Sequence, residues 1–249
     1  MDIAPFVAEP SAQSVQRDRT RVRYATIGAL ALLAGIWICW LAAWAIGWNM
    51  LDLGIRPRDP RGLLGILTAP FVHASFAHLM SNTLPLGFLA AVALYAYPRA
   101  TRYALPFIWI FSGLGVWLFA RPSTHVGISG IVHGLMFFVF LLGLFRRDRL
   151  GVAIALLVFF MYGGMVLTVL PRDPDISFEY HLFGAIAGLI AAIALYRLDP
   201  LPPRKRYSWE DEEDSLEPFD EEAFEHPVPR PAARVIPFPA RDNDKPTLH

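Results

Sequence analysis

Four polar side chains in a mostly apolar sequence have the types and spacings from which a nucleophilic site can be built: His78 with Asn82, then Ser129, then His181. Ser129 lies in Gly127-Ile128-Ser129-Gly130, at the opening of an apolar stretch of helix length. A hydroxyl there is a packing group, a weak hydrogen bonder or a nucleophile, and its partners decide. The first N–H groups of a helix lack intrahelical acceptors, and the macrodipole favours negative charge beside them. A tetrahedral oxyanion formed on Ser129 would meet those donors, and losing one such donor costs hydrolases about 3 kcal/mol. Taken alone, the tetrapeptide fits equally well a close helix contact permitted by Gly127 and Gly130, with Ser129 as a cap.

His181 shifts the balance. In the run from His181 to Gly188, the imidazole, Gly184 and Gly188 fall at i, i+3 and i+7, on one helical face. The glycines allow close approach to a neighbour. If that neighbour is the Ser129 helix, the imidazole reaches the hydroxyl. With an ordinary pKa of about 6.5, the ring is neutral and able to accept a proton at pH 7. His78 and Asn82, spaced i and i+4, share a face with Ser81 beside it, a pair that suits an interhelical bridge as well as a substrate contact. No carboxylate joins this set: Glu179 falls on another face of its helix, and Asp173 and Asp175 lie in a joint. A dyad is therefore expected rather than a triad.

The elements that must position these residues are membrane helices. The chain has 249 residues, 55% of them hydrophobic, in several apolar runs near the length of a bilayer span. Helices are expected at about 24–48, 76–97, 103–120, 128–145, 150–170 and 178–196, an all-α bundle of six transmembrane helices. The first run is too long for a signal-peptide core, despite an Ala43-Trp44-Ala45 resembling a cleavage site. Residues 1–23 read as a polar cytoplasmic tail. The joint 49–75 is too long for slack and mixes Arg56, Arg58, Asp59 and Arg61 with leucines and isoleucines, as a segment lying in the interface would. Residues 198–249, with an acidic block from Glu210 to Glu225, have the composition of a disordered tail. Trp209, Phe219 and Phe224 interrupt that block and leave room for a cytoplasmic docking partner.

Charge distribution gives an orientation where net charge does not, the 22 basic and 22 acidic residues cancelling. Lys and Arg concentrate in the N-terminal tail, the 2–3 and 4–5 joints and the segment after helix 6. That bias places both termini in the cytoplasm, with the plasma membrane as the default site, and requires an even number of crossings. Helices 2, 4 and 6 then start on the outer side, and His78, Ser129 and His181 share a depth.

These residues resemble the rhomboid family of intramembrane serine proteases over about residues 24–197. The resemblance rests on three motifs in order: His73-Ala-Ser-Phe-Ala-His78-Leu-Met-Ser-Asn82, Gly127-Ile-Ser129-Gly130, and His181 followed by Gly184 and Gly188. It implies a rhomboid-like bundle with a membrane-lying first loop. It also implies Ser129 as nucleophile, His181 as base, and His78, Asn82 and the Ser129 N–H as oxyanion donors, with His73 structural. The substrate class would be single-span membrane proteins in the lipid bilayer, cut near the outer face, with the joint 171–177 and the top of helix 5 as a lid or lateral gate. Two positions depart from the pattern: His133 stands where members often have a tyrosine that stacks on the base, and Tyr180 stands where a small residue commonly precedes the histidine.

Two other readings remain. The first is a catalytically inactive member that binds membrane helices, made conceivable by His133. The second is a metal or redox protein using His73, His78, His125, His133 and His181, disfavoured because no carboxylate or thiolate joins them in a compact ligand motif. The single Cys39, inside an apolar run, offers no disulfide or thiol pair. No cofactor, metal or nucleic-acid partner is expected.

Overall fold

The computed structural model of the protein describes residues 12–171 and 176–199. Within them are six helices long and apolar enough to cross a membrane: α1 (Ala12–Ala45), α2 (Phe76–Ala96), α3 (Pro98–Phe119), α4 (Ser129–Arg146), α5 (Arg149–Tyr162, continued as a 3-10 segment Gly163–Val169) and α6 (Phe178–Leu195). No strand occurs among the described residues, only an isolated bridge between Ile55 and His125. The expected all-helical, six-span bundle is therefore present.

Local chemistry sets the helix ends. α1 closes at Gly47, whose φ of 67° lets the Trp48 N–H turn back to the Ala43 carbonyl at 2.9 Å. Ser75 caps α2, its hydroxyl accepting from the His78 N–H at 3.1 Å. α3 opens on Pro98, where a missing N–H costs nothing. Its next donors, the N–H groups of Arg99 and Ala100, go to the two carboxylate oxygens of Asp199 at 3.1 and 2.9 Å. Asp148 caps α5 and Ser177 caps α6.

α4 is the centre of the packing. Of its most apolar window 67% is buried, against 17% for α1 and for α5. The α4–α6 contact is made of glycine on backbone. A Cβ on Gly184 would strike the Gly130 carbonyl, and one on Gly188 the Gly134 carbonyl. The neighbour that Gly184 and Gly188 approach is thus the Ser129 helix. Exposed Trp44, Leu84 and Phe160 form part of an apolar exterior suited to lipid.

The joint 49–75 is structured, as its length suggested. It consists of 3-10 turns at Met50–Leu53, Pro60–Gly62 and Ala69–Phe71 with one α turn at Gly65–Thr68. Indole N–H groups of α3 hold it, Trp117 donating to the Asp59 carbonyl and Trp109 to the Ile66 carbonyl, both at 3.0 Å. Ile55 and His125 exchange backbone hydrogen bonds at 2.9 Å and join it to the α3–α4 connection.

Three boundaries differ from the sequence expectation. Residues 12–23, assigned to a tail, continue α1, because they contain good helix formers and no Gly or Pro. Helix 3 begins at Pro98 instead of 103, so Tyr97 alone separates it from α2. Helix 5 is not uniform to residue 170 but tightens to 3-10 geometry at Gly163. The expected tails at 1–11 and 200–249, with the acidic block and its aromatic residues, and positions 172–175 of the supposed gate lie outside the described residues.

Candidate active site

Ser129 is the first residue of α4, and no side chain caps the helix there. The chain reaches it through Gly127, at a φ of 106°, which few residues other than glycine adopt. Gly127 also gives the His78 imidazole room, since a Cβ would sit 2.7 Å from its Cε1 and Nε2. The glycine before the nucleophile candidate therefore brings α2 to the start of α4. Gly130 has a parallel task, because a Cβ there would enter the fully buried ring of Tyr180. The large residue preceding His181 is thus accommodated by a glycine on the facing helix.

Ser129, His181, His78, Asn82 and His133 line one cavity of about 940 Å³. The depth shared by the three even-numbered helices in the sequence becomes a common site. All but His78 are buried, and His78 is half-buried. Asn82 spends one amide N–H on the His78 carbonyl at 2.9 Å, which leaves its second N–H for another acceptor.

His181 is oriented by α5. Its Nδ1 lies 3.1 Å from the Thr168 carbonyl. A carbonyl only accepts, so Nδ1 carries the proton and Nε2 keeps the basic lone pair. His133 lies flat against this ring, with centroids 3.9 Å apart and planes 11° from parallel. Imidazole thus occupies the stacking position that the resemblance assigns to tyrosine. Its Nδ1 donates to the Ser129 carbonyl at 2.7 Å, and its Nε2 is 2.8 Å from the Thr168 hydroxyl. The side chains of Ser129 and His181 are not hydrogen-bonded to each other, a contact that in hydrolases often tightens only with substrate.

The roof over the cavity is tied by His125 and Arg121. His125 Nε2 donates to the Arg121 carbonyl at 3.1 Å, and the Ser177 hydroxyl donates to His125 Nδ1 at 2.6 Å. Burial lowers the His125 pKa, partly opposed by the Arg121 carbonyl. Glu179, which sequence spacing excludes from the dyad, pairs with Arg121 at 3.3 Å. His73 packs edge-on against His78, with centroids 5.1 Å apart. Burial lowers its pKa to about 4, with His78 acting in the same direction and the Phe71 carbonyl against. Among the described residues no three His, Cys, Asp or Glu side chains converge as a metal site.

Thr168 is the site residue that spacing does not reveal. A threonine in an apolar run reads as interhelical glue, and its contact to His181 is made by a carbonyl, which no side-chain pattern records. The adjacent Gly163-Gly164 was the one available signal that the helix changes geometry there.

The Rhomboid domain matches residues 60–198 of this chain. Uncharacterized proteins of Mycobacterium tuberculosis and Mycobacterium bovis are each 36% identical to it over 195 residues, covering 75% of this chain and 80% of their own. One from Mycobacterium leprae is 34% identical over 201 residues, covering 75% and 77%. The match spans five of the six apolar helices, α2 to α6, and contains the three motifs that line one cavity: this multi-pass membrane protein belongs to the rhomboid family, a family of intramembrane proteases.

Proposed function

We propose that the protein is an intramembrane serine endopeptidase that cuts transmembrane segments of single-span proteins near the outer membrane face through a Ser129–His181 dyad. The observation that carries this reading is the 3.1 Å contact between His181 Nδ1 and the Thr168 carbonyl. A carbonyl only accepts, so Nδ1 carries the proton and Nε2 is left as the basic nitrogen of a residue that lines the same cavity as Ser129. In the reaction, Nε2 takes the Ser129 hydroxyl proton as Oγ attacks the scissile carbonyl. The oxyanion is met by the Ser129 N–H, the free amide N–H of Asn82 and His78. The imidazolium then protonates the leaving amine, and water, with Nε2 again as base, hydrolyses the acyl-enzyme.

A helical substrate has its carbonyls engaged in hydrogen bonds, so it must unwind before attack. The weakly buried α5, with its 3-10 end beside the cavity, is the side from which a substrate segment approaches. The joint 49–75 lies in the interface, and charge bias puts both termini in the cytoplasm of a plasma-membrane protein. The composition of the acidic block, interrupted by Trp209, Phe219 and Phe224, supports a cytoplasmic docking partner for it.

The test is cleavage of a model single-span substrate in detergent, with chelator, by the wild type and by Ser129→Ala and His181→Ala. Each substitution is expected to lower the rate at least about 10³-fold, and a serine-directed fluorophosphonate should label only proteins that retain Ser129. Mutants that cut at the wild-type rate would overturn the dyad. A wild type that neither labels nor cuts would favour a member that binds helices without cleaving them.

A further inference from the structure

Thr168 touches both histidine rings by different groups. Its carbonyl accepts the His181 Nδ1–H at 3.1 Å, and its hydroxyl lies 2.8 Å from His133 Nε2. The proton inventory fixes the direction of the second contact. His133 Nδ1 faces the Ser129 carbonyl at 2.7 Å, and since a carbonyl only accepts, the proton of the neutral ring is on Nδ1. His133 Nε2 is then an acceptor, and Thr168 Oγ1–H donates to it. The same hydroxyl lies 2.7 Å from the Met165 carbonyl, so one proton is shared between two acceptors.

We infer that Thr168 is a positioning residue: its hydroxyl pins His133 flat against His181 while its carbonyl fixes the tautomer of the base. The contacts form a closed circuit. Ser129 holds His133 through its carbonyl, His133 stacks on His181 at 3.9 Å, and both rings end on Thr168. The nucleophile's own residue is therefore linked to the base through His133 and Thr168. A tyrosine in place of His133 would have no ring nitrogen to meet Thr168, so the hydroxyl has a use in this chain that the residue at 133 creates. The anchor stands on the 3-10 segment Gly163–Val169 that continues α5.

This inference rests on the peptidase reading for its kinetic readout alone. Thr168→Val keeps the branched shape and removes the hydroxyl, and Thr168→Ser restores it. In detergent, with the model substrate, Thr168→Val is expected to lower kcat roughly tenfold, about 1.4 kcal/mol of barrier, with KM within about twofold. Thr168→Ser should recover kcat to within about twofold of the wild type. On a His133→Phe background, where the ring still stacks but has no Nε2, Thr168→Val should cost less than about twofold more, the signature of two residues acting as one. Three kinetic outcomes overturn the inference: Thr168→Val cutting like the wild type, Thr168→Ser failing to rescue, or the full loss persisting in the His133→Phe background. NMR of isotope-labelled histidine in the full chain supplies a readout independent of cleavage. Thr168→Val should shift the His133 Nε2 signal and leave a protonated His181 Nδ1; an unmoved Nε2 signal overturns the inference. If the wild type does not cut at all, the peptidase reading fails, and the NMR comparison still decides the hydrogen bond.

Discussion

At the scale of single residues, His133 and His73 show two ways in which an imidazole is used without being a base. His133 supplies a flat ring and two hydrogen bonds, to Ser129 and Thr168. His133→Ala, which removes both ring and bonds, is expected to lower kcat/KM about tenfold further than His133→Tyr, which keeps a ring able to stack. Equal cleavage by His133→Ala and the wild type would remove the ring from any supporting role. His73 is buried beside His78, and its charged form is disfavoured, with a pKa lowered to about 4. The folded state therefore binds fewer protons than the unfolded state between that value and the ordinary 6.5. Its contribution is full above about pH 6.5 and is lost as pH falls toward 4, on the order of 3 kcal/mol in all. The thermal midpoint in detergent should drop over this window, and His73→Phe should flatten the drop. An unchanged pH dependence in His73→Phe would show that other groups carry it.

At the scale of elements, the α4–α6 contact leaves no space for a side chain, whereas the cap on α3 is an ordinary polar contact. Gly184→Ala sets a methyl against the Gly130 carbonyl, which is backbone and cannot swing away. The helices must separate, at about 1–3 kcal/mol, and His181 moves with α6, so cleavage should fall by more than the lost folded fraction explains. Asp199→Ala removes two bonds to the first turn of α3 and should cost about 1 kcal/mol with activity per folded molecule unchanged. Thermal midpoints and specific activities of the two variants separate these outcomes. Spans were legible in the sequence because apolar length alone sets them, and Ser129 and His181 were legible because polar groups within such spans are few. The α4–α6 meeting was legible from Gly184 and Gly188. The 3-10 end of α5 was signalled only by Gly163-Gly164, since Met165, Val166 and Leu167 are as apolar in one winding as in the other. Residues 12–23 were read as tail because a bilayer criterion stops at Arg23, although helix propensity does not. The pairing of Gly130 with Tyr180, and of Asp199 with α3, depends on tertiary contacts that no local pattern encodes.

At the scale of the whole molecule, six crossings put the starts of α2, α4 and α6 on one face of the membrane and the start of α1 and the end of α6 on the other. Which face is outer rests on charge. Arg99 and Arg102 lie in the first turns of α3, Arg146, Arg147 and Arg149 at the α4–α5 connection, and Arg197 just past α6. α1 adds Arg17, Arg19, Arg21 and Arg23 on a helical extension that reaches about 18 Å beyond residue 23. All of these fall on the side opposite the cavity. The face that carries Ser129 and His181 has fewer basic residues in its connections, and one of them, Arg121, is neutralised by Glu179. By the positive-inside rule, the proposed orientation has the cytoplasm on the arginine-rich side and the cavity toward the outside. Green fluorescent protein fused to either terminus should fluoresce, and alkaline phosphatase should be active only when inserted on the cavity side, for example after Ser123. Active phosphatase at a terminus would invert the molecule. Ser129 would then lie near the cytoplasmic face, and the proposed cleavage would move from the outer ends of substrate helices to their inner ends.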